Sequence, residues 1–433
     1  MEEAERGWFR RKVTMHALAK IIAAHAGRDR VEVGEIVNVT PDCVMLNDRG
    51  AARARALLRE MGGDKVFDPD RIVVVFDHHY PAIRLRDSEA QKETRAWIKE
   101  QNITRFHAGE GIGHVIFPEK GYAYPGALIF GTDSHTVNHG ALGCFSTGLG
   151  HSDIASGLAL GYNWLRVPEV IRIDLHGTLK PWVTAKDVIL RIAQEFGEDA
   201  AVYQGVEFAG PLIADMGMDE RQVLTNMVID LGGKAGYIQP DTMTLEYIKS
   251  RADPSKWKVY TTDGDADYAK IIKLDVTDLD PLVALPHDLS YVVNASSASH
   301  LPVDEAIFGT CTGGRIEDFR IAATIMKGRR IAPSSRMMVN PGSASVYRQA
   351  MQEGLIQVMV DAGAVIGVPG CGPCSGCHQG MMAAGENGIT TASRNFRGRM
   401  GSTDSNLIVA SPATVAASAI AGHVVSPKDF WQN

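Results

Sequence analysis

Three cysteines have the spacing and surroundings of ligands to a soft metal centre. Cys371 and Cys374 lie in the run Pro-Gly-Cys-Gly-Pro-Cys-Ser-Gly-Cys, and Cys311 lies 60 residues upstream in Gly-Thr-Cys-Thr-Gly-Gly. Each follows an apolar run typical of a buried strand. Thiolates on glycine-rich loops at strand ends suit an iron–sulfur cluster. Three protein ligands would leave one metal corner open for a substrate, as in a Lewis-acid enzyme.

Other interpretations of these cysteines are weaker. Four thiolates on structural zinc fit the count, because Cys377 follows Cys374 by three residues. Zinc ribbons usually pair two short knuckles, however, whereas Cys311 stands alone. Buried free thiols are the usual state of a single cysteine, but not of three within seven residues. Cys377 is then a bystander, a replacement ligand after iron loss, or a fourth ligand that closes the open corner.

Two Asp-His motifs could supply acid–base groups. Asp77-His78 and Asp133-Ser134-His135 both follow apolar runs. A neighbouring carboxylate raises the pKa of a histidine and fixes its tautomer, which suits protonation of a leaving hydroxyl near neutral pH. Either motif alone could be a capped loop with an incidental histidine. His135 and His139 also have the spacing of a helical zinc pair, but the internal Glu of a metalloprotease is missing.

Three arginines follow the cysteine loop, at positions 394, 397 and 399. Guanidinium groups bind carboxylates through two parallel hydrogen bonds. A charged surface turn is the default interpretation, but the position between the cysteine loop and a buried-type strand favours carboxylate binding by at least one arginine. The chain has no G-x4-G-K-S/T motif and no well-placed G-x-G-x-x-G, so nucleotide-dependent chemistry is not indicated.

The elements that position these residues are strands alternating with helices. Continuous apolar runs rich in β-branched residues predict an α/β fold with mainly parallel sheets. Ser411-Pro412 predicts the start of a helix over 413–421, and apolar spacing predicts a helix within 12–26. Four of the five main strands lead to Asp, His or Cys, and ligands bind at such strand ends in open α/β sheets. The five main strands are predicted at 71–76, 127–130, 306–308, 364–368 and 407–410.

Length and charge restrict the class of protein. A chain of 433 residues exceeds one ordinary core, and we predict domains over 1–178, 179–290 and 291–433, with an irregular linker near 280–300. The net charge of −7 without a basic stripe makes nucleic acid an unexpected partner. Six unevenly spaced cysteines indicate a reducing compartment. An acidic start and the lack of a long apolar stretch predict a cytoplasmic protein with no membrane partner.

These motifs, together with Gly109–His114 and Asn226-Met227, resemble the aconitase superfamily over nearly the whole chain. Within it they are most similar to the large subunits of 3-isopropylmalate dehydratase and homoaconitase. The resemblance implies three α/β domains around a central cluster, without the fourth, swivelling domain. It implies a 4Fe-4S cluster on Cys311, Cys371 and Cys374. The implied catalytic residues are Asp77, His78, His114, Asp133, His135 and Asp230, and the implied substrate-binding residues are Asn47, Ser134, Arg394 and Arg399.

The resemblance also implies an activity. A malate-type hydroxy di- or tricarboxylate would be dehydrated with the help of a separate small subunit that carries the fourth domain. The most similar activity is the interconversion of 2- and 3-isopropylmalate in leucine biosynthesis. Alternatives are homoaconitase, 2-methylmalate or 2,3-dimethylmalate dehydratase, an iron-sensing or RNA-binding relative, and an inactive scaffold subunit. The chain departs from the family pattern at Asn47, His79, Asp230, Gly313 and Ser393, which alters the surroundings of cluster and substrate.

Overall fold

The computed structural model describes residues 14–376 and 378–431. Cys377 lies outside these ranges, so its three predicted roles stay predictions. The described residues form three large sheets and one two-stranded ribbon. The predicted α/β class with mainly parallel sheets is confirmed, because every strand pair in the five-stranded and the four-stranded sheet is parallel.

The strands and helices alternate along the chain. In order, the strands are β1 (Ile36–Val39), β2 (Cys43–Asn47), β3 (Ile72–Phe76), β4 (Arg105–Ala108), β5 (Leu128–Gly131), β6 (Phe145–Gly148), β7 (Asn163–Arg166), β8 (Val170–His176), β9 (Gly205–Ala209), β10 (Ala235–Ile238), β11 (Lys270–Asp275), β12 (Leu282–Ala284), β13 (Val292–Asn294), β14 (Glu305–Gly309), β15 (Arg336–Asn340), β16 (Val365–Ile366), β17 (Asn387–Thr390) and β18 (Asn406–Ala410). The helices are α1 (Ala17–His25), α2 (Asp48–Glu60), α3 (Leu85–Glu100), α4 (Gly113–Glu119), α5 (His151–Leu160), α6 (Ala185–Phe196), α7 (Pro211–Asp215), α8 (Met218–Asn226), α9 (Thr242–Lys249), α10 (Ile316–Met326), α11 (Ala344–Gln352), α12 (Leu355–Ala362) and α13 (Pro412–Ala421).

The first sheet has the strand order β4-β3-β2-β5-β6. Its central strands β2, β3 and β5 are buried at every residue. Both faces of such a sheet are covered, which is why these strands are continuous apolar runs rather than alternating patterns. The helices α3 and α5 both pack against α2, which follows β2. The carboxyl ends of β3 and β5 therefore lie at one edge of a rigid sheet.

The second and third sheets have the orders β10-β9-β8-β11 and β13-β12-β18-β17-β14-β15-β16. The third sheet is parallel from β18 to β16 and antiparallel only where β12 joins β13 and β18. The chain segment 227–231, a single 3-10 turn after α8, brings the second sheet into contact with the 3-10 helix Ser134–Leu142 beside the first.

Some elements differ from the sequence predictions. The stretch 280–300 is not an irregular linker: it contains β12, β13 and a 3-10 turn over Ala295–Ala298, and its strands belong to the third sheet. The strand β16 before Cys371 is not buried but short and at a sheet edge, with Val365 exposed at 59%. The two residues of β16 form a strand only because they pair with β15. A local sequence pattern cannot reveal that pairing.

Helix boundaries follow capping chemistry. The predicted helix after Ser411-Pro412 is confirmed: α13 begins at Pro412, and the Ser411 hydroxyl oxygen accepts a hydrogen bond from the amide of Thr414 at 3.4 Å. The helix predicted within 12–26 is α1, over Ala17–His25. No helix among the residues described is long and apolar enough to cross a membrane.

The strand pairing bears on the proposed domain limits. The strand β8 pairs with β9 and β11 of the second sheet, although it precedes residue 178. Strands β12 and β13 pair within the third sheet, although β12 precedes residue 290. The limits at 178 and 290 stay proposals, and limits near 169 and 280 would keep each sheet within one domain.

Candidate active site

Strand ends from two sheets bring the chemical groups together. Asp77 directly follows β3, and Asp133 follows β5 by two residues, at one edge of the first sheet. Cys311 follows β14 of the third sheet by two residues. The backbone amide of Cys371 donates a hydrogen bond to the carbonyl of Asp77 at 2.9 Å, which fastens the cysteine loop to the end of β3. The two edges therefore face one shared site.

Asp133 connects three histidines. Its Oδ1 accepts a hydrogen bond from Nε2 of His114 at 3.0 Å and from the backbone amide of His135 at 2.8 Å. Its Oδ2 lies 3.3 Å from Nε2 of His78. Burial alone would raise the pKa of Asp133, but the neighbouring His114, His135 and His78 outweigh it and hold that pKa well below its usual value. Asp133 is therefore a carboxylate that can orient several imidazoles at once.

His78 lies between two carboxylates and a sulfur. Its Nδ1 is 2.7 Å from Oδ1 of Asp77 and 3.8 Å from the Cys371 sulfur. The second oxygen of Asp77 accepts the amide of Gly113 at 2.8 Å, at the start of α4. Burial would lower the pKa of His78, but Cys371, Asp77 and Asp133 hold it well above its usual value.

His135 shares its Nε2 between two partners. That nitrogen lies 3.2 Å from Oδ2 of Asp230 and 2.9 Å from the hydroxyl of Ser393. Oδ1 of Asp230 accepts a hydrogen bond from Nε of Arg394 at 2.6 Å. Burial would raise the pKa of Asp230, but His135 and Arg394 lower it below its usual value. A continuous chain of polar contacts thus joins His135 after β5, Asp230 before β10 and Arg394 after β17.

The three cysteines of the sequence prediction converge on this network. Cys311 and Cys371 belong to one small apolar cluster with Ile112 and Val115. The thiols of Cys311 and Cys371 each interact electrostatically with that of Cys374, so the three cysteines lie in one region of the protein. Burial and the neighbouring Cys374 together raise the pKa of Cys311 to about 12. A bound cation would reverse this effect and stabilise the sulfurs as thiolates, so the three cysteines fit a metal centre.

One cation beside the sulfurs is suited to a thiolate. A terminal nitrogen of Arg399 donates to the Cys374 sulfur at 3.5 Å. The Cys311 thiol instead donates to Oδ1 of Asn226 at 3.7 Å, as a protonated thiol does. Thr310, directly before Cys311, has a φ of +69°. This left-handed conformation is strained for a β-branched residue and is retained mainly where a fixed geometry is needed.

A mixed metal site is the alternative on geometry. One ligand atom each of Asp77, His78 and Cys371 lie within 4.8 Å of one another. Among the described residues this is the only such group with three possible ligands, and it contains one cysteine. Asp77 and His78 are already hydrogen bonded to each other and to Gly113 and Asp133, so a metal there would break the acid–base network.

The residues predicted to bind substrate are engaged with protein in this structure. Oδ1 of Asn47 caps α2 by accepting the Gly50 amide at 2.6 Å. The Ser134 hydroxyl lies 3.4 Å from Nδ1 of His135. Arg394 and Arg399 face Asp230 and Cys374, as described above. The substrate-binding roles of these residues therefore stay predictions.

Several buried polar residues escaped the sequence prediction. Asp48 accepts the backbone amides of His78 and His79, at 3.3 and 2.7 Å, and so holds the Asp-His loop. Arg315 is 2% exposed, donates to the carbonyl of Cys311, and donates to Oδ1 of Asn138 at 3.0 Å. A single sequence gives no signal that separates such a buried arginine from one on the surface. Asp48 could have been found, because it follows β2 as Asp77 follows β3.

Two cavities bear on access. The larger, about 640 Å³, lies between the first turns of α6, α8 and α10 and is not lined by any of the three cysteines. The smaller, about 290 Å³, is lined by Asp230, Arg394 and Phe396 and opens beside the polar chain. The first cavity is larger, but the second is lined by residues of the polar chain. We therefore regard the second cavity as the more relevant approach for a substrate.

Comparison with known proteins defines the class. Residues 19–299 and 288–422 match the model of the aconitase family (aconitate hydratase), and the chain belongs to that family. The family resemblance predicted from the sequence is thereby confirmed.

Among curated proteins the chain is similar to large subunits of 3-isopropylmalate dehydratase. It is 44% identical to the probable large subunit of Methanothermobacter thermautotrophicus over 96% of this chain and 99% of that protein. It is 44% identical to those of Aquifex aeolicus and Heliobacterium modesticaldum over 95% of this chain and 96% and 98% of theirs. Aconitase X of Thermococcus kodakaraensis aligns over 96% of this chain and 94% of that chain at 12% identity, with a TM-score of 0.49 that supports no argument.

Proposed function

We propose that this chain is the large subunit of an iron–sulfur hydro-lyase that dehydrates a malate-type hydroxy di- or tricarboxylate. The proposed reaction is most like that of 3-isopropylmalate dehydratase, which would interconvert 2- and 3-isopropylmalate in leucine biosynthesis. The observation that carries the proposal is the contact between Cys371 and His78 at 3.8 Å. It joins the thiol cluster to the acid–base network, so that a substrate held by one would touch the other.

A 4Fe-4S cluster is the proposed cofactor, held by Cys311, Cys371 and Cys374. The fit rests on three cysteines in one region, two of them buried and Cys371 partly buried, with a guanidinium donor from Arg399. When bound, such a cluster supplies a Lewis-acidic iron that can bind a substrate hydroxyl and carboxylate. A set of three soft thiolate ligands favours this cofactor, whereas a closed structural zinc site requires a fourth ligand.

The residues of the chain supply the proton. His78, fixed by Asp77 and Asp133, is held protonated and can deliver one proton to a leaving hydroxyl. His114 and His135 share the carboxylate of Asp133, which keeps all three rings in one orientation relative to each other. Asp230 fixes the far side of His135. The leaving water thus departs on the histidine side.

The complementary base is proposed to lie on a separate small subunit. The similar proteins are named large subunits, which supports a partner of this kind. Arg394 and Arg399 have guanidinium groups at the site, and we propose that a substrate carboxylate draws at least one of them from its present partner. The large subunit alone would then bind the cluster and lack turnover.

Co-expression with the small subunit tests this proposal. The complex is purified without oxygen and assayed with 2-isopropylmalate, homocitrate, 2-methylmalate and 2,3-dimethylmalate. We expect the highest kcat/KM for isopropylmalate and no turnover by the large subunit alone. Preference for another of these acids would retain the hydro-lyase and change the substrate. A complex with full iron content and no activity on any of the four would contradict the proposal.

A further inference from the structure

A second histidine of the Ser134–Leu142 segment has no role in the chemistry described so far. His139 is 0% exposed, and neither of its ring nitrogens has a hydrogen-bond partner among the described residues. Its ring stacks on Phe117 with a centroid separation of 5.1 Å and an angle of 19°. Burial of an imidazole without a partner is costly, so a histidine that serves packing alone would be better replaced by an apolar ring.

The spacing of His135 and His139 does not make a zinc pair. The segment is a 3-10 helix, in which residues four apart do not share a face. No group of three possible metal ligands among the described residues contains His139. The ring of His139 lies instead beside that of His114, with a centroid separation of 6.1 Å and an angle of 53°.

His114 also has a buried ring nitrogen without a hydrogen-bond partner among the described residues. Its Nε2 donates to Asp133, but its Nδ1 is buried and has no partner within the described part of the chain. The separation of the two ring centroids is too long for a direct hydrogen bond between the nitrogens. A buried water needs two to four polar partners, and one nitrogen of each ring can supply two of them.

We propose that His139 is a positioning residue for His114, acting through one buried water on Nδ1. The Asp133 carboxylate already requires the proton of His114 on Nε2. The water donates to Nδ1 and so fixes the orientation of the His114 ring toward Asp133. Asp133 in turn orients His78 and His135, so His139 supports the acid–base network from inside the protein. The inference depends on the proposed function only where turnover is measured.

The surroundings of His139 keep it neutral and fixed in place. Burial lowers the pKa of His139 well below its usual value, and the Arg315 guanidinium lowers it further. A neutral ring keeps one nitrogen as an acceptor and one as a donor. The neighbouring Asn138 donates to the carbonyl of His114 at 3.1 Å and accepts from Arg315 at 3.0 Å, which ties this segment to α4.

Nitrogen NMR of the histidine rings tests the proposal without turnover. The full-length large subunit is labelled with 15N-histidine, and the His114 signals are assigned with a His114→Gln variant. We expect wild type to show one fixed tautomer of His114, protonated at Nε2. His139→Phe keeps an aromatic ring against Phe117 but removes both nitrogens. We expect the Nδ1 signal of His114 to shift toward that of an acceptor without a hydrogen bond, while Nε2 stays protonated against Asp133. An unchanged His114 spectrum in His139→Phe would overturn the proposal.

A second variant guards against a folding defect. His139→Gln keeps donor and acceptor groups, and we expect it to restore most of the wild-type His114 spectrum. His151→Gln, on the exposed start of α5, is the matched control and leaves that spectrum unchanged. If His139→Phe and His139→Gln both fail to fold, thermal unfolding of His139→Leu is measured. A large loss of stability in this variant as well, whatever the size of the side chain, assigns His139 to packing and overturns the proposal.

Turnover of the complex with the small subunit gives an independent readout. We expect His139→Phe to lower kcat about tenfold, with KM and iron content unchanged, as for loss of groups that orient reacting side chains. His139→Gln restores kcat to within about threefold by the same reasoning. If the wild-type complex itself has no dehydratase activity, the proposed function fails, while the NMR result still decides the role of His139.

Discussion

The hydroxyl oxygen of Ser393 lies 2.9 Å from Nε2 of His135. The resemblance to the family leads one to expect Asn at this position. Here the serine hydroxyl and Asp230 share the same imidazole nitrogen, and the Ser393 side chain is buried. A departure from the family pattern thus lies in direct contact with a proposed catalytic residue, where it adjusts the orientation of the ring.

Substitution of this serine tests the contact. We expect Ser393→Ala to lower kcat of the complex about tenfold, because His135 loses one of two groups that fix its ring. The loss of one hydrogen bond costs stability by about 1 kcal/mol. Ser88→Ala, at an exposed position on α3, is the control and retains both activity and stability. Steady-state kinetics and thermal unfolding check the pair, and equal kcat values for the two variants would argue that Ser393 has no influence on His135.

The carboxylate of Asp230 lies between His135 and Arg394. We expect Asp230→Asn to lower kcat/KM roughly 100-fold, because the amide removes the charge that holds both side chains. The metal content stays at the wild-type level, since Asp230 has no contact with the cysteines in the described contacts. Asp215→Asn, at the exposed end of α7, serves as the control. Kinetics with parallel iron analysis distinguish the predicted catalytic loss from loss of the metal.

The sequence predicted the strands that lead into this site better than the short strands at the margins of the sheets. Apolar runs before Asp77, Asp133 and Cys311 revealed β3, β5 and β14, because strands buried on both faces need continuous apolar residues. The short strands β12, β13 and β16 were missed or misjudged, because two or three residues carry no periodic signal and form only by pairing with neighbours.

The contacts between distant residues were likewise beyond the local pattern. Ser393 and His135 are 258 positions apart, and the pairing of their side chains depends on how the first and third sheets face each other. The motif at Arg394 and Arg399 predicted carboxylate partners, and for Arg394 the structure supplies one, Asp230, from within the protein. A single chain sequence cannot distinguish an internal carboxylate partner from a substrate one.

Arg315 is expected to stabilise the loop of Cys311. Its guanidinium is buried and contacts the Cys311 carbonyl and Asn138 at once, which a lysine ammonium cannot reproduce. We expect Arg315→Lys to lose iron to a chelator at least about tenfold faster than wild type. Arg320→Lys, on the exposed face of α10, which begins directly after Arg315, is the matched control. Equal rates of iron loss in the two variants would show that the buried arginine does not support the metal site.

Arg221 and Asp241 form a pair whose effect depends on pH. Arg221 is completely buried, and its guanidinium donates two hydrogen bonds to Asp241, at 2.8 and 2.7 Å. Burial would raise the pKa of Asp241, but Arg221 and the Thr244 amide lower it to about 2. Because the folded pKa lies below the unfolded value of about 3.9, the stabilisation is complete above that value and disappears as the pH falls toward 2.

The variant Asp241→Asn isolates this charge. It keeps a side-chain oxygen that can cap α9, so the loss reports mainly on the ion pair. We expect a loss of about 2 kcal/mol at pH 7, less than for a fully enclosed pair because the Asp241 side chain is 41% exposed. Urea unfolding between pH 3 and 7 measures the difference from wild type. A difference that grows rather than shrinks below about pH 4 would contradict this account.

The most direct test of the account is the metal content of anaerobically purified protein. We predict iron and sulfide in a visible iron–sulfur spectrum, lost in Cys311→Ser, Cys371→Ser and Cys374→Ser. Cys144→Ser, a buried free cysteine outside the site, retains the spectrum. A protein that binds zinc through about four thiolates and shows no iron–sulfur absorption would contradict the account.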